Sequence, residues 1–161
     1  MLTAISRYGA RVLPETEDIV AGCKARGEFI QGPHIERFEA AFARHARLGR
    51  ACREGAKAMG LELFSPDEDR SAVVTAIRAP DGVDSTEVVK GLRDRFGITI
   101  ANGQGDLKGK IFRIGHIGYY DVFDITTALA AVDLALVELG ADIERGVAVT
   151  RALEAFEHTT V

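Results

Sequence analysis

The spacing of apolar residues along this chain shifts between a helical and an alternating period, and each shift marks an element. Ile35, Phe38, Phe42, Gly49, Cys52, Ala56 and Met59 recur every three or four positions. That period predicts one long helix over 34–59 with a single stripe of apolar and small residues, opened by Gly32-Pro33 and stopped by Gly60. Arg37, Arg44, Arg47, Arg50, Arg53 and Lys57 lie mostly off the stripe. Two readings are open for them, a solvated charged face or a phosphate-binding one, and the interleaved acids favour the solvated face. After Gly60 the pattern alternates. Residues 61–64 and 72–77 read as strands, separated by a turn at Ser65-Pro66-Asp67. Ala79-Pro80-Asp81-Gly82 is a turn, and Asp84 or Ser85 caps a helix with Val88, Val89, Leu92 and Phe96 inward, ending at Gly97. Residues 98–100 and 110–115 read as two more strands around the loop Asn102-Gly103-Gln104-Gly105. From Asp121 a helix carries Val122, Ile125, Leu129, Val132, Leu136 and Leu139, and a last amphipathic helix covers 143–156.

The predicted order from residue 34 is therefore α-β-β-α-β-β-α-α. Strands grouped apart from helices in this way predict an α+β two-layer domain, a mainly antiparallel sheet covered by helices. Upstream, Pro14 with Glu15, Glu17 and Asp18 starts a short helix that turns Ile19, Val20 and Cys23 inward and stops near Gly27. The expected organisation is an N-terminal extension over 1–33, a domain over 34–157, and a frayed tail at 158–161.

Composition narrows the class. The 161 residues carry 20 Lys+Arg against 24 Asp+Glu, a formal net charge of −4, with 7% aromatic residues and no Trp. A general nucleic-acid binder would show a basic excess, and a single-strand binder stacking aromatics, so no nucleic-acid partner is expected. The apolar run over 128–139 is broken by Asp133 and Glu138, and no run reaches the ~20 residues of a membrane span. The N-terminus lacks the apolar core and cleavage site of a signal peptide. Cys23 and Cys52 lack Cys-x-x-Cys spacing and read as small buried hydrophobes, so the expected setting is the cytoplasm.

Candidate chemistry is sparse. The Asn102–Gly105 loop is followed by Asp106 and Leu107, and by a strand, which excludes a P-loop and a dinucleotide fingerprint. It reads as a loop needing positive φ at two places. His34 and His45 lie three helical turns apart, too far to share a metal, and no metal site is expected. His116 reads either as a satisfied core or surface histidine or as a pocket residue. Arg113 is the most informative position. It sits in Lys110-Ile111-Phe112-Arg113-Ile114-Gly115-His116-Ile117-Gly118, where apolar neighbours mark a buried strand. A guanidinium there needs a carboxylate, either an internal Asp or Glu or a ligand gripped in a fork.

From about Phe42 to Leu153 the chain resembles the C-terminal small domain of class V aminotransferases, the alanine–glyoxylate and serine–pyruvate enzymes. The resemblance is carried by Phe42-Ala43-Arg44-His45-Ala46-Arg47-Leu48, by Gly60-Leu61-Glu62-Leu63-Phe64, and above all by Leu107 to Gly118 around Arg113. It implies the small domain of a fold-type-I pyridoxal-phosphate transferase, with Arg113 binding the α-carboxylate of the substrate. The stretch from Gln31 to Ala43 is similar to the N-terminus of nucleotide-sugar aminotransferases. In this family a separate large domain supplies the cofactor site. Lys24, Lys57, Lys90, Lys108 and Lys110 do not follow the family's Ser-x-x-Lys pattern. The resemblance thus implies part of an aminotransferase without catalytic or cofactor-binding residues of its own, truncated and inactive alone. The alternative is a module that binds a small carboxylate or dimerises without catalysis. Either reading leaves apolar faces to cover, so the expected partner is a second copy of the chain or a related aminotransferase chain.

Overall fold

In the computed structural model, the residues described are 21–22, 33–66 and 71–158. The expected N-terminal helix with Ile19 and Cys23 falls almost wholly outside them, as does the tail beyond 158, whereas of the stretch 31–43 that resembles nucleotide-sugar enzymes only residues 31 and 32 fall outside. The chain divides into two compact units, residues 1–41 and 42–161.

Helix α1 runs Pro33–Ala58, with Pro33 suited to the first turn. Its stripe is buried at Leu48, Ala51, Cys52, Ala56 and Met59, whereas Phe42 is 50% exposed. Strand β1 (Val74–Arg78), helix α2 (Ser85–Phe96), strand β2 (Ala101–Asn102), strand β3 (Ile111–Gly115), helix α3 (Val122–Glu138) and helix α4 (Val147–Glu157) follow in order. The sheet has the order β1-β3-β2 and both pairings are antiparallel. Helices and this small sheet build an α+β domain, as the pattern predicts.

Three elements differ from expectation, each because backbone amides are engaged elsewhere. Residues 61–64 make only one bridge, Leu63 opposite Ile77, since the Leu61 amide closes α1 on the Ala56 carbonyl. The β-branched run Ile98-Thr99-Ile100 is not the strand; Gly97 adopts φ 68, and the amides of Gly97 and Ile98 cap α2 on Arg93 and Leu92. Pairing is therefore delayed to Ala101 and Asn102. The last helix starts at Val147 rather than 143, because the amides of Ala141, Glu144 and Gly146 bond Leu136 O, Met59 O and Asp133 Oδ2.

The helix starts follow the expected chemistry. Asp84 Oδ1 accepts from Thr86 N at 2.7 Å at the head of α2. At α3, Asp121 accepts from Phe123 N and Asp124 N while Asp124 returns the bond to Asp121 N, a reciprocal capping box. The core joins α1, the inner face of the sheet, α2, α3 and α4, with Phe112, Ile77, Leu92, Ile125, Leu129 and Leu136 among its largest buried side chains.

Candidate functional site

Alternation along β3 decides where Arg113 points. Phe112 and Ile114 are buried, opposite Ile77 and Thr75 of β1, so that face of the sheet looks into the core. Arg113 therefore stands on the opposite face. Its cross-strand neighbours on that face are Ala76 of β1 and Ala101 of β2. Two methyl side chains beside the middle strand leave the guanidinium room and make no charge contact with it.

The half-buried Arg113 donates from Nε and Nη2 to the main-chain oxygen of Asn102, at 3.2 and 2.9 Å. Among the described residues no carboxylate forms an ion pair with it. Of the two partners that the sequence leaves open, the internal acid is not found among the described residues. Arg113 instead lines an open cleft of about 660 Å³, together with Ile98, Thr99, Tyr120, Asp124 and Thr127. A cation that keeps its charge at the wall of a cleft is equipped to bind a planar anion.

Asn102, which sequence reasoning placed only in a tight loop, holds this corner together. Its Oδ1 accepts from Ser85 Oγ at 2.7 Å and from Gly103 N at 2.8 Å, and its Nδ2 donates to Thr86 Oγ1 at 2.9 Å. Those hydroxyls lie 17 and 16 residues upstream, so no local spacing could have revealed them. The glycines of the loop also serve differently from expectation. Gly105 takes positive φ, but Gly103 does not; a Cβ there would stand 2.0 Å from Leu107 O, so Gly103 is needed for close approach of the returning chain.

His116 is a core residue. It is fully buried, its Nε2 shares a 3.1 Å hydrogen bond with Thr75 Oγ1, and its Nδ1 has no partner. Burial, with Arg53 and His45 adding to it, pushes its pKa down to about 4, so the ring is neutral. The His116 carbonyl bonds the ring Nδ1 of His45 at 3.0 Å, and Arg44 Nη2 donates to Tyr120 O at 2.9 Å. Consecutive residues of α1 thereby grip both ends of the segment after β3.

The basic residues of α1 are not simply a solvated face. Arg47 donates to Phe156 O at 3.0 Å and stacks on the Phe156 ring, and the buried Arg53 donates to Ser71 O. Arg50 and Lys57 are exposed as expected. Cys52 is buried, with its thiol pushed up to about 12 by desolvation, which fits a small hydrophobe rather than a nucleophile. Among the described residues no three metal-binding side chains cluster, and no helix is long and apolar enough to cross a membrane.

No family model matches the chain. It is 43% identical over 109 residues to an uncharacterised aminotransferase of Methanocaldococcus jannaschii, an alignment covering 67% of this chain and 28% of that protein. The crystal structure of ureidoglycine–glyoxylate aminotransferase from Bacillus subtilis superposes with a TM-score of 0.68 at 40% identity, covering 71% of this chain and 30% of that one. Pyridoxamine–pyruvate aminotransferase from Mesorhizobium loti gives a TM-score of 0.71 at 36% identity, covering 74% of this chain and 31% of that one. The chain spans about a third or less of the length of these relatives. Sequence and fold agree, and the motif around Arg113 stands on the middle strand of an α+β domain: the chain belongs to the class V aminotransferases.

Proposed function

We propose that this chain is the carboxylate-binding portion of a pyridoxal-phosphate-dependent aminotransferase, which moves an amino group between an amino acid and an oxo acid such as glyoxylate or pyruvate. The observation that carries the reading is Arg113, a half-buried cation at the wall of a cleft with a carbonyl, not a carboxylate, as its hydrogen-bond partner. An amino acid and its oxo acid share one feature, the α-carboxylate, and a guanidinium fork grips both alike. Holding that carboxylate fixes the substrate's reacting carbon relative to the rest of an assembled site.

Pyridoxal phosphate supplies the electron sink of amino transfer in this family. The described residues of this chain do not fit it. Lys57, Lys90, Lys108 and Lys110 are all exposed, and no lysine lines the cleft at Arg113. None of the described lysines is therefore placed to hold the cofactor beside Arg113. The same absence from the cleft favours the second reading, a module that binds a small carboxylate, or associates with a second copy or a related aminotransferase chain, without catalysis of its own. The two widely separated cysteines, one of them buried, suit a reducing cytoplasmic setting.

Titration with pyruvate, followed by calorimetry or by chemical shifts, tests the shared core of both readings. Saturable binding by the wild type, lost in Arg113→Gln, is expected. Equal binding by Arg113→Gln overturns the carboxylate site.

A further inference from the structure

The geometry points to Asn102 as the residue that positions Arg113 for its ligand, an inference that rests on the carboxylate-binding reading above. A guanidinium has five N–H donors arranged along rigid edges. Arg113 commits one edge, Nε–H with one Nη2–H, to the main-chain oxygen of Asn102 at 3.2 and 2.9 Å. The outer edge, Nη1 with the second Nη2 hydrogen, is the one that meets the two oxygens of a carboxylate in parallel. Because the anchor is a neutral carbonyl, it fixes the plane of the fork without cancelling its charge. An aspartate in that place would set the same plane and at once neutralise the cation.

The anchor is only as firm as Asn102 itself. Its side-chain amide is committed to three partners: Ser85 Oγ at 2.7 Å, Gly103 N at 2.8 Å and Thr86 Oγ1 at 2.9 Å. Ser85 is fully buried and its amide bonds Gly109 O at 3.0 Å, while Asp84 caps the same turn. Helix α2 is thus braced against Asn102, and Asn102 against Arg113. From the far side, Gly103 admits the returning chain so closely that no Cβ fits. With its amide committed inside the protein, Asn102 acts on a substrate only through Arg113. It is a positioning residue.

The test uses the 15N-labelled chain with pyruvate as the probe. In the unliganded wild type the Arg113 Nε proton should exchange slowly, since a carbonyl holds it. Asn102→Ala should raise the apparent Kd for pyruvate about tenfold and release that proton to fast exchange. Asn102→Asp retains acceptors for Ser85 and Gly103 and should recover the slow proton. A residue that merely staples the loop would lower Tm in Asn102→Ala and leave the Kd unchanged; that result overturns the inference. Arg113→Gln separates the two claims. If it binds pyruvate like the wild type, the carboxylate reading fails. If it loses binding while folded Asn102→Ala binds like the wild type, the positioning role alone fails. Should Asn102→Ala not fold, the wild-type proton decides: exchange as fast as in free arginine overturns the inference, and protection supports it.

Discussion

At the scale of the residue, what a polar group is bonded to sets what its removal costs. Arg113 is tied to a carbonyl beside an open cleft, so its loss strands no buried charge. Arg113→Ala should therefore cost no more than about 0.5–1 kcal/mol in urea unfolding. A buried ion pair would cost about 3–5 kcal/mol, and a loss of that size would contradict the site reading. His116 gives the opposite case. Its ring is buried beside Arg53 and takes a proton only at about 4, against an ordinary value of 6.5. Between those values the unfolded chain binds the proton and the folded one does not. Stability contributed by the neutral ring is thus present above 6.5 and lost as the pH falls toward 4, by up to about 3 kcal/mol. Urea unfolding of wild type and His116→Gln should show the wild type's advantage shrinking from pH 7 to pH 4.5. An advantage that stays constant would mean the buried ring does not govern acid sensitivity. Arg113 was legible in the sequence because apolar flanks make a charged residue conspicuous. Asn102 was not, because its partners come from α2, far along the chain.

At the scale of the element, helices were legible and strands only in part. The 3.6-residue period finds α1, α2 and α3 to within a residue or two, since their buried faces repeat locally. Strand identity depends on which amides remain free, and Ile98-Thr99-Ile100 loses this contest to the end of α2 despite its β-branched composition. Glycine in α1 makes a similar point about packing. Gly49 sits inside the helix and Gly55 in its last turn, and within a helix glycine ordinarily costs about 0.5–1 kcal/mol relative to alanine. A Cβ at Gly55 would lie 2.5 Å from Leu129 Cδ1 and 2.9 Å from the Ala148 carbonyl, and a Cβ at Gly49 would lie 2.6 Å from His116 Cε1. These glycines let α3, α4 and the histidine approach the helix axis. Gly55→Ala should accordingly destabilise by about 1–3 kcal/mol, because a backbone oxygen cannot turn aside. Gly91 of α2 has nothing within 4 Å of its Cβ position. There Gly91→Ala should stabilise by about 0.5–1 kcal/mol. Thermal unfolding of the two variants reads both signs, and two shifts in the same direction would contradict the packing account.

At the scale of the whole molecule, binding and turnover come apart. The fold places a cation on the outer face of its middle strand and bonds it to a neutral carbonyl, which leaves its charge unpaired by any acid among the described residues. On the proposed reading, that cation holds a carboxylate. Amino transfer needs more, an amine that carries the cofactor within reach of the substrate's carbon, and positioning alone cannot stand in for that electron sink. The described lysines are exposed on α1, on α2 and in the loop before β3, and none reaches the cleft. The 161-residue polypeptide tested alone with pyridoxal phosphate, an amino acid and glyoxylate or pyruvate should thus bind the acid and show no amino transfer. Addition of a related aminotransferase chain that carries the lysine is the condition under which its carboxylate site would contribute to turnover. Measured exchange of the amino group by the isolated chain, insensitive to Arg113→Gln, would refute both halves of this expectation. Exchange that is sensitive to Arg113→Gln would keep the carboxylate site and refute only the claim that catalysis needs another chain.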